Sequence, residues 1–372
     1  SESADSSAAG TVPASSSDET GADNVSVQMD TEYTITLGGS SISAENAAVD
    51  GSNVIISDPG VYRISGTLED GQILVDADKE DTVTLILDGA DITCSSSAPI
   101  YVKQAAMTNI QLAEGSENKV ADGSTYEFEE GEDEPDAAIF SKDDLRIEGD
   151  GSLTVLGNYK MGIHGKDSLQ LSANITLNTA GAGIKGKDQV TIEAGTLTIS
   201  AGGDGIQSNN DTEGGDVEIL DGTISIQAES DGIQAEHSLI ISGGTVSVTA
   251  QGDGLKAKNT IGGGIISISD GAITIDSQED AIDSKGDLEI SGGKLEIQTL
   301  GGAANAPEHT GDFFGGPPGW FNDISGEDET QSAKGLKAVY DITITGGEIT
   351  LDTYDDAIHA DQNVTISGTA EI

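Results

Sequence analysis

Short segments in which apolar and polar residues alternate run through most of the chain. Typical apolar pairs are Leu197/Ile199 in one series of segments and Leu239/Ile241 in another. Because successive side chains of a strand point to opposite faces of a sheet, this alternation predicts β-strands with one buried face. Glycine-rich corners separate the segments, and glycine readily adopts the positive φ that tight corners need. The pattern therefore predicts an all-β fold.

The segments form a repeat when they are aligned on one aliphatic residue. Most steps between aligned residues are 21 to 27 residues long, and each step holds three short strands. We therefore predict a right-handed, three-faced parallel β-helix of about ten coils of roughly 22 residues. The long step from Ile282 to Leu336 has room for one further coil, around Leu295 and Ile297, beside an inserted loop. The aligned aliphatic residues are Ile100, Ile139, Ile163, Ile184, Ile206, Ile233, Leu255, Ile282, Leu336 and Ile358.

The repeat defines a single domain from residue 29 to residue 372. Residues 1–28 are rich in Ser, Ala and Asp and poor in large apolar side chains, so we predict a disordered linker there. Within the domain we expect an acidic loop at 122–136 and an aromatic, Gly/Pro-rich insertion at 301–331. A Ser-rich tether is typical of an exported chain, which favours a secreted or cell-surface-tethered protein. A stack that stopped at Ile372 would lack a cap, which favours a native chain that continues.

Charge and composition exclude several classes of partner. The 66 Asp and Glu residues against 16 Lys and Arg residues give a net charge of −50, which repels phosphate backbones and anionic lipids. We therefore expect no nucleic-acid partner. No apolar run approaches the roughly 20 residues that a helix needs to cross a bilayer, and we expect no membrane-spanning segment. The single cysteine, Cys94, allows neither a disulfide framework nor a cysteine-based zinc site. We expect a monomer.

Stacked coils would bring aspartates that are distant in sequence into one column. Asp204, Asp231, Asp253 and Asp280 each stand two residues before an aligned aliphatic residue, and Asp283 stands one residue after. Carboxylates about 4.8 Å apart repel one another, and Ca²⁺ takes clustered carboxylate oxygens in a flexible geometry. We therefore predict a calcium site formed by these five residues. The alternative is that each aspartate only caps its own turn.

The insertion at 301–331 concentrates aromatic residues in a chain that is poor in them. It contains Trp320, Phe313, Phe314 and Phe321, while only 3% of all residues are aromatic. Aromatic faces stack on the apolar faces of pyranose rings, so these four residues are predicted to bind a sugar. The alternative is that the rings cover the flank of the β-helix.

Three further runs carry a family resemblance: DAAIFSKDDLRIEGDGSLTVLGNYKMGIHGKDSLQL, AGIKGKDQVTIEAGTLTISAGGDGIQSNND and GGAANAPE…FFGGPPG. They resemble secreted bacterial carbohydrate-binding β-helix proteins that are related to the calcium-dependent pectate lyases. The resemblance implies a right-handed parallel β-helix that binds calcium and plant cell-wall polysaccharide, cellulosic or pectic. It also implies binding without cleavage. On these grounds we predict calcium-assisted, non-catalytic polysaccharide binding at the cell surface.

Two other functions remain open. A calcium-dependent pectate lyase would need a base for β-elimination, and Lys256 is the best candidate because it lies one coil from Asp231 and Asp280. In the binding hypothesis Lys256 instead contacts the glycan. A structural or adhesin stalk would use none of these residues.

Overall fold

The computed structural model describes residues 31–39, 41–128, 130–212, 214–306 and 332–372. Residues Thr31–Ile372 form one compact unit. The predicted linker at 1–28 lies outside the described residues, as do residues 307–331 of the predicted aromatic insertion. The described residues contain strands and turns but no helix, and therefore no helix that could cross a membrane.

The strands of the described residues, numbered β1–β33 in chain order, form two sheets. The twenty-stranded sheet contains β1 (Glu32–Gly39), β2 (Ser41–Ala44), β5 (Gly60–Leu68), β7 (Thr82–Cys94), β9 (Met107–Leu112), β10 (Glu117–Asp122), β12 (Asp144–Gly157), β14 (Ser168–Thr179), β16 (Gln189–Ala201), β18 (Asp216–Ile219), β19 (Thr223–Ala228), β21 (Ser238–Ile241), β22 (Thr245–Ala250), β24 (Ile265–Ile268), β25 (Ala272–Ser277), β27 (Leu288–Ile290), β28 (Lys294–Thr299), β30 (Ile342–Ile344), β31 (Glu348–Asp352) and β33 (Val364–Ile366).

The thirteen-stranded sheet contains β3 (Ala48–Asp50), β4 (Asn53–Ile56), β6 (Ile73–Asp76), β8 (Ile100–Gln104), β11 (Ala137–Ser141), β13 (Met161–Gly165), β15 (Ile184–Gly186), β17 (Ile206–Ser208), β20 (Ile233–Ala235), β23 (Leu255–Ala257), β26 (Ile282–Ser284), β29 (Leu336–Ala338) and β32 (Ile358–Ala360).

Each turn contributes one strand to the thirteen-stranded sheet and two segments to the twenty-stranded sheet. In β12, β14 and β16 these two segments are continuous, and the strand bends between them. Gly195 lies at the bend of β16 with φ of 96°. A Cβ atom there would lie 2.1 Å from the carbonyl oxygen of Ala173 on the neighbouring turn, so the bend requires glycine. These three faces confirm the predicted three-faced parallel β-helix.

The β-helix has about twelve parallel turns, two more than the ten that we aligned in the sequence. The additional turns are N-terminal, since Val54 pairs with Ile73 and Ile73 pairs with Ile100. The expectation of a further coil after Ile282 is wrong, because Ile282 pairs directly with Leu336 on the next turn.

The core is a set of stacked aliphatic columns inside the three faces. Ile233, Leu239 and Val246 of a single turn are fully buried, and they repeat in register on the neighbouring turns. At the N-terminal end the parallel order stops, because β1 with β2 and β3 with β4 form antiparallel pairs. Such hairpins cover the first edge of a sheet that would otherwise expose unpaired backbone groups.

Candidate functional site

Six consecutive strands of the thirteen-stranded sheet carry outward-facing polar side chains at their middle position. The strands β15, β17, β20, β23, β26 and β29 pair in parallel with these positions in register. Because the residues on either side, such as Ile233 and Ala235, are buried in the core, the middle residues point away from it. We call them the polar strip: Lys185, Gln207, Gln234, Lys256, Asp283 and Lys337.

Beside the polar strip, four turn residues form an aspartate ladder. In each, the Oδ1 atom accepts a hydrogen bond from a backbone amide of the next turn. Asp204 accepts from Asp231 at 3.1 Å, and Asp231 accepts from Asp253 at 2.8 Å. Asp253 accepts from Asp280 at 2.9 Å, and Asp280 accepts from Lys334 at 2.8 Å. The aspartates therefore share one column, and each caps the following turn rather than its own.

Lysines of the polar strip bind the second oxygen of the ladder residues. Lys256 Nζ lies 3.0 Å from Asp231 Oδ2 and 2.8 Å from Asp253 Oδ2, while Lys337 Nζ lies 2.6 Å from Asp280 Oδ2. Asp204 has no lysine among the described residues and accepts instead from Gln207 Nε2 at 2.7 Å. Lysines therefore neutralise three of the four ladder aspartates.

Three aspartates converge closely enough to hold a metal ion. One carboxylate oxygen from each of Asp253, Asp280 and Asp283 lies within 4.8 Å of the others, and all three residues are buried. Among the described residues, Asp283 Oδ1 is buried without a hydrogen-bond partner, whereas its Oδ2 lies 2.6 Å from Lys285 Nζ. Of the five predicted metal ligands, Asp204 and Asp231 lie outside this cluster.

Burial and charge shift the pKa values of several strip and ladder groups. Burial raises the pKa of Asp253 to about 7, with added repulsion from Asp283 and Asp231, although Lys256 opposes the shift. Burial alone would lower the pKa of Lys256, but Asp253 and Asp231 outweigh it and hold that pKa above its usual value. By contrast, burial lowers the pKa of Lys185.

The same face is apolar and covered toward the N-terminus. The positions that correspond to the ladder aspartates are occupied by Ala137, Met161 and Ala182, and Phe140 occupies the strip position with no exposed surface. Next along the strip, His164 is buried and its Nδ1 atom lies 2.6 Å from Asp136 Oδ1. The covered half therefore leaves little side-chain surface open to a ligand.

An aromatic cluster that we did not predict contacts this half through Tyr126, which packs against its buried apolar residues. The rings of Tyr126 and Tyr159 stack with their centroids 4.3 Å apart, and Phe128 lies 6.1 Å from each. The Tyr126 hydroxyl lies 2.7 Å from Asp122 Oδ2 and donates to the Ala137 carbonyl at 3.0 Å. The sequence signal for this cluster was the presence of Tyr126 and Phe128 inside the acidic loop. We had considered only the charge of that loop. The predicted sugar-stacking residues Trp320, Phe313, Phe314 and Phe321 lie outside the described residues.

One curated protein and one solved structure are similar to this chain in sequence. A carbohydrate-binding domain-containing protein of Acetivibrio thermocellus is 42% identical over 153 residues, which are 40% of this chain and 54% of the relative. The match thus spans about half the length of that curated relative. The gadolinium derivative of a polysaccharide lyase-like protein from C. thermocellum is 39% identical, with a TM-score of 0.62 over 64% of this chain and 97% of that one.

The family itself follows from the extent of a third match. The model of the family described as carbohydrate-binding domain-containing protein matches residues 50–247 and 213–372. Together these ranges cover residues 50–372, from the last residue of β3 to the end of the chain. The chain therefore belongs to the family of carbohydrate-binding domain-containing proteins.

Proposed function

We propose that the protein binds polysaccharide without cleaving it and that Ca²⁺ assists. The binding surface is the open half of the thirteen-stranded sheet, which we define as the polar strip together with the aspartate ladder beside it. The buried cluster of Asp253, Asp280 and Asp283 within a row of lysines carries this proposal. Family membership and the lyase-like structural neighbour support the polysaccharide partner. The protein acts outside the cell, secreted or held at the cell surface, where it meets plant cell-wall polysaccharide.

The three clustered carboxylates fit a hard cation. Ca²⁺ accepts several oxygen ligands in flexible geometry, and oxygens that converge from adjacent turns provide such a set. Asp283 Oδ1 is the best donor, because it is buried and unpartnered among the described residues. Lys256, Lys285 and Lys337 neutralise much of the cluster, so the cation has to displace at least one ammonium group. When bound, Ca²⁺ would supply a positive charge that a glycan carboxylate can share.

With Ca²⁺ bound, the charges of the open half favour an acidic polysaccharide such as a pectic polyuronate. Lys185, Lys256 and Lys337 all belong to the polar strip, where residues of successive turns are about 4.8 Å apart. A chain of net charge −50 repels a polyanion overall, so binding depends on these local cations and on the metal. The aromatic residues around Trp320 are proposed as an additional sugar contact.

Retention on immobilised polygalacturonate with calcium or with EDTA tests this function. We expect calcium-dependent retention of the full chain and its loss in Asp283→Asn. Glu289→Gln is the matched control, because Glu289 is an exposed acid outside the cluster, and it should behave as the unmodified protein. Equal retention with EDTA and in Asp283→Asn would overturn the calcium part. Absence of retention on any polysaccharide, acidic or neutral, would overturn the binding function. Trp320→Ala separately tests the aromatic contact.

A calcium-dependent lyase is the second candidate. Its favoured base is Lys185 rather than Lys256, for the following reasons. Lys256 is held between Asp231 and Asp253 with a raised pKa, which disfavours the neutral amine that a base requires. Lys185 has a lowered pKa and, unlike Lys256 and Lys337, no ion pair with a described residue. A lyase would generate unsaturated uronate, seen as new ultraviolet absorbance that Lys185→Ala abolishes. No absorbance change with calcium and polygalacturonate would reject this candidate.

A further inference from the structure

A second face of the β-helix is uncharged and regular over four consecutive turns. It consists of the outward positions in the C-terminal segments of β14 and β16 and in β19 and β22, three per strand, which are all exposed. All twelve are Thr, Ser, Asn or Gln. We call this surface the hydroxyl face. Its central column is Thr176, Thr198, Ser225 and Ser247, paired in unbroken register.

Charged residues mark the limits of the hydroxyl face along the β-helix. On the C-terminal side, Asp276 follows on β25, and Lys294 and Glu296 form an exposed ion pair at 2.7 Å on β28. On the N-terminal side, Glu117 and Lys119 lie two turns away on β10. An uncharged surface of this extent is unexpected in a chain with 66 acidic residues.

The side chains of the hydroxyl face are free to bind a ligand. None of the twelve side chains forms a hydrogen bond with another described residue, although side chains elsewhere in the β-helix, such as Thr179, Ser208 and Ser238, do so. Their spacing is about 4.8 Å between turns and about 6.6 Å along a strand, because alternate residues share a face. Threonine is restricted in χ1, so an array rich in threonine loses little side-chain entropy when it binds.

We propose that the hydroxyl face is a second polysaccharide contact, which takes a neutral glycan in ordered, parallel chains such as the surface of an insoluble β-glucan. This proposal rests on the polysaccharide-binding function, but it uses neither the aspartate cluster nor the lysines. The hydroxyl face has no cation that would offset the net negative charge of the protein, so the protein would repel a polyuronate here. A neutral glycan carries no charge and would not be repelled. Rows of hydroxyl and amide groups at regular spacing match a ligand that itself repeats hydroxyl groups.

The strength of such a contact depends on the order of the ligand. A typical hydrogen bond contributes only about 0.5–1.5 kcal/mol net, and this face has no aromatic ring on which a single sugar could stack. Many bonds must therefore form together, which a fixed array of chains allows and a short soluble oligosaccharide does not. We expect retention on microcrystalline cellulose and at least about tenfold weaker binding of soluble cello-oligosaccharides.

The decisive variant places two carboxylates at the centre of the hydroxyl face. Thr198→Glu/Ser225→Glu should lower the affinity for microcrystalline cellulose by about tenfold or more, because two charges would be desolvated against the ligand. Thr36→Glu/Ser65→Glu is the matched control: it changes a Thr–Ser pair that is likewise in register on neighbouring strands, but outside the face. If circular dichroism shows that the glutamate variant is misfolded, Thr198→Val/Ser225→Val removes the hydroxyl groups while it keeps strand-forming residues.

The outcomes separate this proposal from the proposed function. We expect the Thr198/Ser225 variants to lose cellulose but to retain calcium-dependent polygalacturonate binding, and Asp283→Asn to show the reverse. Unchanged cellulose binding in the folded variants would overturn the hydroxyl face. Absence of cellulose binding in the unmodified protein would also overturn it, and would leave the function intact if polygalacturonate is still retained. Failure on both glycans would reject the function itself.

Discussion

The two halves of the thirteen-stranded sheet have the same backbone and opposite chemistry. In the C-terminal half, Asp231, Asp253 and Asp280 occupy the turn position before each strand, and every one accepts from the backbone of the next turn. In the N-terminal half the same position holds Ala137 and Met161, which pack under aromatic rings. The parallel hydrogen-bonded ladder continues unchanged through both. The backbone of a β-helix therefore provides positions, and the side chains decide whether a face is closed or open to ligands.

The difference also shows two ways of stabilising neighbouring turns. The apolar half buries Phe140 against Tyr101 and His164, with ring centroids 5.7 and 5.2 Å away. The polar half buries carboxylates, which accept hydrogen bonds from backbone amides and form ion pairs with lysines. Buried ion pairs contribute little net stability, because desolvation offsets their attraction. We infer that the apolar half contributes stability and the polar half contributes binding. The following experiments test that contrast, from the largest expected effect to the smallest.

Removal of the buried ring from the apolar half should cost the most stability. Phe140 has no exposed surface, so Phe140→Ala is expected to lower the free energy of unfolding by about 3–5 kcal/mol. Urea denaturation followed by circular dichroism measures this, and Phe140→Leu should show a smaller loss. A cost below about 1 kcal/mol would mean that the aromatic cover is not well packed. Calcium binding should survive in both variants.

Removal of a ladder carboxylate should cost less stability but abolish calcium binding. Asp280→Ala leaves the Lys334 amide and the Lys337 ammonium without their acceptor, which we expect to cost about 2–3 kcal/mol. Asp280→Asn keeps an acceptor for the amide and should be less destabilised. Isothermal titration with Ca²⁺ should show no binding in either variant. Unchanged calcium affinity in Asp280→Asn would place the cation elsewhere.

The calcium affinity should fall as the pH is lowered. The pKa of Asp253 is raised to about 7, so its carboxyl group is mostly ionised at pH 8 and mostly protonated at pH 6. A metal ion binds the ionised form, and its binding releases the proton. Affinity should therefore be about tenfold weaker at pH 6 than at pH 8. In Asp253→Asn the affinity should be low at both pH values. A flat pH profile in the unmodified protein would show that Asp253 is not a ligand.

The smallest effect is expected at the first residue of the ladder. Asp204 has no lysine partner among the described residues and lies outside the aspartate cluster. Asp204→Asn keeps an oxygen for the Asp231 amide, and the Gln207 amide can rotate to face the new side chain. The free energy of unfolding should change by less than about 0.5 kcal/mol, with unchanged calcium affinity. A clear loss of calcium affinity would extend the cluster to this turn.

Much of the fold could be predicted because each turn repeats the same apolar spacing. The alignment of Ile206, Ile233 and Leu255 in the sequence reproduces their pairing in the structure. The first two turns were missed although the step from Ile73 to Ile100, 27 residues, fits the repeat; only the step from Val54 to Ile73, 19 residues, is shorter than the others. Leu295 and Ile297 were assigned to an additional coil because alternation marks a strand without showing its face. They lie on β28, in the turn that begins at Ile282.

The candidate site was predictable as a column but not as a set of atoms. The sequence placed Asp204, Asp231, Asp253, Asp280 and Asp283 together, since residues at equivalent positions of a β-helix must stack. It could not show which oxygen of each carboxylate is used by a backbone amide. The hydroxyl face was also present in the sequence as alternating Thr and Ser, yet its significance depends on the absence of charge over four adjacent turns.

The sequence by itself determined the parallel β-helix, its buried aliphatic columns and the residues that share a column, because backbone hydrogen bonding fixes one register throughout. Only the tertiary structure decided the pairing of Lys256 with two aspartates, the convergence of Asp253, Asp280 and Asp283, and the burial of Phe140 against Tyr101 and His164. Those features depend on side chains that reach from one turn to the next and on the exclusion of water. The spacing of residues along the sequence gives no information on either.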